Sequence, residues 1–304
     1  MPESENSSNT RCGFVALVGA PNAGKSTLLN ALVGSKIAIV THKVQTTRSR
    51  LIGVAIHNDA QMVFVDTPGI FTAKKRLERA MVAAAWDGAN DADVVVLLVD
   101  ASRKLEDNTI QIVTGLGERR KKPILVLSKI DLVKRDNLLA ITKELNDLCP
   151  FEETLMISAK TGSGLGDLRD LLALQLPMGP WLYPEDQLTD VTERMLASEI
   201  TREKFFLRFH EELPYAATIE TERWKDLKDG SVRIEQVIYV ERDSQKKIII
   251  GKGGQGLKTI GKMAREELEE LLDRRVHLFI FVKVRKGWSD DKERYQNMGL
   301  DWVK

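Results

Sequence analysis

The strongest chemical signal in the chain is Gly19-Ala20-Pro21-Asn22-Ala23-Gly24-Lys25-Ser26, which fits G-x-x-x-x-G-K-[ST] in full. Glycines at these positions let successive backbone N–H groups curl around a phosphate, and a helix starting here adds the partial positive charge of its N-terminus. Lys25 would then reach β- and γ-phosphate oxygens, and the Ser26 hydroxyl would bind Mg²⁺. Four such fixed positions arise by chance in a chain of this length only about one time in a hundred. Further on, Asp66-Thr67-Pro68-Gly69 closes an apolar run. It offers a carboxylate to support the metal and a glycine whose N–H can meet a γ-phosphate. Between the two lies a polar run, 41–48, whose Thr46 and Thr47 offer a second hydroxyl to Mg²⁺; its composition equally suits a solvated loop.

These residues need elements to hold them. Short apolar runs at 14–18, 51–56, 61–65, 94–99, 124–128 and 154–157 read as strands, with helical patterns near 25–33, 76–90, 106–120, 136–148 and 165–175. That alternation predicts an α/β domain with a mostly parallel sheet. The turn-like His57-Asn58-Asp59-Ala60 makes the second and third strands an antiparallel hairpin. Two further polar loops, Ser128-Lys129-Ile130-Asp131 and Ser158-Ala159-Lys160, follow the last two strands. Around Pro177-Met178-Gly179-Pro180 the periodicity breaks, as at a domain boundary. Beyond it a smaller α+β unit is expected: a helix near 190–212, strand-like runs at 215–224 and 231–241, a glycine turn at 251–256, a helix at 257–272 and a strand at 276–285. The divisions are a disordered tail at 1–10, a first domain at 11–177, a linker at 178–198, a second domain at 199–288 and a C-terminal tail at 289–304.

Composition sets outer limits. A chain of 304 residues with 43% hydrophobic and 29% charged residues is a globular protein of about two domains, not a collagen, a disordered chain or a disulfide scaffold. Cys12 and Cys149 are too few to staple it and fit a reducing compartment. The run MPESENSSNT lacks the apolar core of a secretory signal, and no stretch approaches the roughly 18 apolar residues of a membrane span, so a cytoplasmic protein is expected. A formal net charge of +1 argues against nucleic acid as a partner, but the average hides clustering. Between Arg242 and Arg265 stand seven bases and a single acid, Asp243. In that cluster sits Gly251-Lys252-Gly253-Gly254, preceded by Ile248-Ile249-Ile250. G-x-x-G alone is loose, and a solvated charged face beside a glycine turn is the other reading. Glu266, Glu267, Glu269 and Glu270 on the following helix would repel RNA if they shared its face, whereas Arg274, Arg275, Lys283, Arg285 and Lys286 would extend a basic surface along the last strand.

GAPNAGKS, QTTR, DTPG, SKID and SAK stand in the order of the phosphate, switch I, switch II and two guanine-reading motifs of translational-type small GTPases, which the first domain resembles. The resemblance implies GTP or GDP held by Gly19, Asn22, Ala23, Gly24, Lys25, Ser26, Thr27, Ser128, Lys129, Asp131, Ser158, Ala159 and Lys160. It implies Mg²⁺ on Ser26, Thr47 and Asp66, and catalysis through Lys25, Thr46, Thr47, Asp66 and Gly69. Asp131 would accept from guanine N1–H and the 2-amino group, a donor pair adenine lacks. The chain departs from the family's N-K-x-D at Ser128, which replaces only part of an asparagine's bonds and predicts weaker nucleotide binding with guanine preference kept. It also carries Ile70 after DTPG, where Ras-like enzymes place a water-orienting glutamine. Hydrolysis is therefore expected to be slow and partner-stimulated, or its water placed by backbone and switch I groups. Asn22 matches an asparagine that helps hold K⁺ in related GTPases.

The second domain resembles a KH module, in which the glycine loop brings single-stranded RNA close to the backbone. Ile250, Gly251, Lys252, Gly253, Gly254, Lys258 and Lys286 would bind it. Three consecutive isoleucines suggest a strand at 246–250; the KH resemblance instead implies a short helix capped near Asp243 or Ser244, and the helix is the reading adopted. The two domains together, with ASEITREKFF, ELPY and KVRKGW, resemble the bacterial Era family over nearly the whole chain. That implies a monomer binding 16S ribosomal RNA near its 3′ end, acting in 30S subunit maturation, with peripheral contact to the inner membrane. The rival reading is an RNA-binding assembly factor switched by GTP and GDP with weak catalysis.

Overall fold

Residues 10–118 and 122–303 are described by the computed structural model; the tail expected at 1–10 lies outside them except for Thr10. The chain divides into two compact units, the first made of residues up to Ala38, Thr47–Asp190 and Gln296 onward, the second of Ile39–Thr46 and Val191–Tyr295.

The first unit runs β1 (Arg11–Val18), α1 (Lys25–Val33), β2 (Leu51–His57), β3 (Ala60–Asp66), α2 (Arg76–Asp91), β4 (Val94–Asp100), α3 (Asp107–Gly117), β5 (Ile124–Ser128), α4 (Arg135–Leu148), β6 (Thr154–Met156) and α5 (Leu165–Gln175). Its six strands lie in the order β2-β3-β1-β4-β5-β6, parallel except for the β2–β3 hairpin. The valine- and leucine-rich strands are buried on both faces, as a sheet with helices on each side requires. Register brings the strand ends level: Leu17 pairs with Asp66, and Asp100 with Ser128. The loops carrying the candidate chemistry therefore leave one edge of the sheet, the carboxyl edge where ligands of such folds sit. The α3 helix is shorter than the expected 106–120, of which residues 119–120 lie outside the described residues.

The stretch expected as a linker, 178–198, is hydrogen-bonded to this unit at several points as far as Thr189. Gln61, fully buried, accepts from the Leu182 and Tyr183 amides at 2.8 and 2.9 Å and donates to the Tyr183 carbonyl at 2.7 Å. Val54 N donates to Leu188 O, and Thr189 Oγ1 to Ile52 O. Prolines and glycines end helices, but the backbone groups they free still find partners along β2 and β3.

In the second unit α6 (Glu193–Arg208), β7 (Ala217–Asp226), β8 (Val232–Val240), α7 (Asp243–Ile250), α8 (Gln255–Leu272), β9 (Val276–Val284) and α9 (Lys292–Asn297) follow in turn. Thr192 caps α6 by accepting from Met195 N, and a 3₁₀ turn at Leu213–Ala216 follows it, so the helix is shorter than the expected 190–212. The sheet order is β7-β8-β9, antiparallel then parallel. Residues 243–250 form a helix, so the glycine loop has a helix on either side despite the isoleucine run. Ile249, Ile260, Phe205, Phe206 and Ile238 share one core cluster. The C-terminal segment expected as a tail holds a 3₁₀ turn at Trp288–Asp290 and α9, with Trp288 and Tyr295 buried.

Candidate functional site

The loop from Gly19 to Gly24 joins β1 to α1. Asn22 and Gly24 are left-handed, at φ 66° and 101°, and a Cβ on Gly19 would sit 2.5 Å from Leu98 O. Lys25 is 6% exposed, and its Nζ donates to the carbonyls of Gly19 and Ala20 at 3.0 and 3.1 Å. Burial pulls its pKa down to about 8, with the Asp66 charge opposing the fall. Ser26 Oγ and Thr47 Oγ1 both donate to Asp66 Oδ2, at 2.9 and 3.2 Å, and lie 3.0 Å from each other. Asp66 is fully buried; burial raises its pKa, and Lys25 and the two hydroxyls pull it partly back.

Among the described residues Asp66 Oδ1 has no hydrogen-bond partner. An unpaired carboxylate oxygen beside two hydroxyl oxygens is a hard, all-oxygen donor set of the kind Mg²⁺ takes. Ser26, Thr47 and Asp66 thus fit the metal. Thr46 is not brought to them: its Oγ1 lies 2.6 Å from both Thr41 Oγ1 and Lys43 O, closing its own loop. Gly69 lies against that loop, where a Cβ would come within 2.9 Å of Pro21 Cα and N. Ile70 is 6% exposed and packed in the core.

At the base end, Ser128 is 3% exposed, and its Oγ is 2.7 Å from Ala23 O and 3.2 Å from Val99 O. It ties the base loop to the phosphate loop, one of the two tasks of the asparagine it replaces. Lys129, left-handed at φ 58°, donates from Nζ to Asn22 O at 2.8 Å and to Asp100 Oδ2 at 2.6 Å. Burial works to raise the Asp100 pKa, but bonds from Lys129 and Ser102 outweigh it and the net shift is downward. Asp131 and Ser158 line a cleft of about 540 Å³ with Ile130, Met156 and Thr161. Ser158 Oγ accepts from Thr161 N, Ala159 follows it, and Lys160 is exposed. Thr27 sits in the first turn of α1.

Sequence reading missed Asp100, although its place at the end of β4, level with Ser128, was a usable signal. It also missed the buried polar run of α6, where Thr201, Arg202, Glu203 and Lys204 are all under 10% exposed. Arg202 donates to the carbonyls of Gln45 and Thr46, and Val40 N donates to Glu203 Oε1 at 2.9 Å. Lys43 Nζ meets the carbonyls of Phe206 and Phe209 at the end of α6. Lys204 bridges Glu203 and Glu267 of α8. Four polar residues between Ile200 and Phe205, both core, were the sign that every side of this helix is in contact.

The glycine loop between α7 and α8 holds Gly251, Gly253 and Gly254 at φ 69°, 61° and 77°. Lys252 and Lys258 are exposed, Ile250 is half-buried, and Ile248 is 59% exposed. The α8 glutamates are largely engaged elsewhere: Glu267 with Lys204, Glu269 accepting from Val276 N, and Glu266 with Lys262. Of the bases expected to extend the surface, Arg274, Lys283 and Arg285 are each in ion pairs, whereas Lys286 is exposed.

A phosphate loop with magnesium donors, two base-reading loops and a separate unit with a helix–glycine loop–helix define a P-loop GTPase joined to a KH domain. Residues 14–129 match the family described as 50S ribosome-binding GTPase, and 212–289 match the KH domain. The chain is 59% identical over 295 residues to GTPase Era of Rhizobium meliloti, covering 97% of this chain and 94% of that one. It is 58% identical to GTPase Era of Brucella suis, covering 96% and 94%. Among solved structures, Aquifex aeolicus Era bound to GDP and AlF₄⁻ superposes with a TM-score of 0.89 at 40% identity, covering 95% and 99%. Era in complex with MgGDPNP and nucleotides 1506–1542 of 16S ribosomal RNA gives 0.90 at 39%, covering 96% and 99%. The chain belongs to the Era family of GTPases.

Among the described residues no helix is long and apolar enough to cross a membrane.

Proposed function

We propose that this chain binds GTP with Mg²⁺ and hydrolyses it to GDP and phosphate, and that it binds 16S ribosomal RNA near its 3′ end through the KH loop in maturation of the 30S subunit. The observation that carries the nucleotide reading is the buried Ser26–Thr47–Asp66 oxygen cluster with its unpaired Asp66 Oδ1. Lys25 and the Asn22, Ala23 and Gly24 amides hold the β- and γ-phosphates, and Gly69 N–H donates to the γ-phosphate. Asp131 and the 158–160 loop select guanine while the Lys129 stem covers the base. Ser26, Thr47 and Asp66 would hold the metal, which would supply positive charge against the negative charge of the transferring phosphoryl group. Water attacks the γ-phosphorus, the bond to the bridging oxygen breaks, and that oxygen leaves on GDP. Ile70 cannot hydrogen-bond the water, so the unaided reaction is slow, and Asn22 would help hold a K⁺ that would supply further positive charge. The protein is read as a cytoplasmic monomer with peripheral contact at the inner membrane.

The buried Ile70 also favours a second reading, a nucleotide-switched RNA-binding factor with weak catalysis. Single-turnover hydrolysis of GTP, with and without RNA and in Na⁺ or K⁺, separates the two. The enzyme reading expects turnover, faster in K⁺. Equal rates in both salts would remove the K⁺ assignment, and absence of hydrolysis in every condition would leave the switch.

A further inference from the structure

The sheet of the second unit is covered on one face by α6 and α8, which pack on Ile234, Ile238 and Val276. The other face is only partly covered. At one end Trp288 Nε1 donates to Ala216 O at 3.1 Å, and the Arg294 guanidinium lies 4.6 Å from the Tyr239 ring while paired to Glu220. Beyond this cover β9 presents Phe279 and Phe281, 42% and 50% exposed, on the side opposite the helices. Ile280, between them, faces the helix side, 3.7 Å from the Cβ position of Gly261.

Charge around the two rings favours an anionic chain. The Arg233 guanidinium lies 4.6 Å from the Phe279 ring centre and widens its π surface. Arg223 is 79% exposed, and Lys225 stands opposite Arg233 in the register. The acids of this face are matched: Glu235, 18% exposed, sits between Arg233 and Arg223, and Glu222 pairs with Lys283 at 2.9 Å. The exposed charge is therefore mainly guanidinium and ammonium. Two rings two residues apart on a strand stand about 6.8 Å apart, leaving each ring a free face for one base. β9 is an edge strand of this sheet, so its outer face is bordered by a strand on one side only.

We propose that Phe279 and Phe281, flanked by Arg233, Arg223 and Lys225, form a second surface for single-stranded nucleic acid, on the face of β9 away from the glycine loop, which takes bases by stacking. The proposal rests on the RNA reading of the KH loop and extends the bound strand beyond the roughly four nucleotides such a loop holds.

The test is anisotropy titration of the full chain with oligoadenylates of about 5 and about 12 nucleotides, the shorter filling the loop side alone. Phe279→Ala/Phe281→Ala should weaken the longer RNA by about tenfold or more and leave the shorter unchanged. Phe279→Tyr/Phe281→Tyr, which keeps the rings, should restore affinity. Both phenylalanines are exposed, so folding should survive, checked by unchanged GDP binding. Equal affinity of the alanine variant for the longer RNA would overturn the proposal; if that variant instead lost binding to 30S subunits alone, the face would belong to a protein partner. No binding of either RNA by the unaltered chain would overturn the KH reading itself.

Discussion

Ser128 shows how one side chain divides an inherited task. Its hydroxyl has a single proton, and 2.7 Å to Ala23 O spends it on joining the base loop to the phosphate loop. The other half of an asparagine's work, contact with the base, has no atom to perform it. Ser128→Asn should therefore tighten GDP binding by about 1 kcal/mol, and Ser128→Ala should weaken it by a similar amount with guanine preference kept, since Asp131 is untouched. Titration with a fluorescent GDP analogue, competed by ATP, measures both. Unchanged affinity in Ser128→Asn would mean that the missing amide contributes nothing at this site.

At the scale of elements, α6 is a helix whose polar residues are internal. Lys204 is held between Glu203 and Glu267. Burial alone would lower its pKa, but the two carboxylates outweigh it and the net shift is upward. A lysine whose folded pKa is raised contributes its stability in full below the unfolded value and loses it only as pH rises through the folded one. Urea melts from about pH 6 to 9 should accordingly show no slope from this group. Lys204→Ala leaves two partly buried carboxylates facing each other and should cost about 3–5 kcal/mol, whereas Lys204→Met with Glu203→Gln and Glu267→Leu should recover much of it. A melt of the single variant matching the parent would show the triad to be solvated. The same helix holds 39–46 through Arg202, Glu203 and its last carbonyls, so damage to α6 should also show as increased amide exchange at Val40.

For the whole molecule, the +1 net charge conceals an anion-binding phosphate loop in one unit and a basic glycine-loop surface in the other. Lys252→Asp with Gly253→Asp should abolish RNA binding and spare GDP binding, and RNA affinity of the parent should fall about tenfold between about 50 and 200 mM salt. RNA affinity retained by the variant would move the surface elsewhere. The phosphate loop, the strand-and-helix order of both units as far as β9 and the helix at 243–250 were legible without coordinates, whereas α9 was not. Each is encoded by contiguous residues: glycines where the backbone must be left-handed, apolar runs where strands are buried on both faces, and a glycine loop whose family pattern requires helices around it. Other features depended on residues far apart in the chain. Only the folded chain brings Thr47 to Asp66 and Ser26 while Thr46 turns to Thr41 and Lys43, and only the level ends of β4 and β5 bring Asp100 to Lys129. Only the packed chain shows that Glu267 of α8 turns to Lys204 of α6, that 178–190 is fastened along β2 and β3, and that Phe279 and Phe281 are left exposed. Local backbone preference is written in neighbouring residues; which side chains meet is set by non-local register and burial, and that belongs to the folded chain.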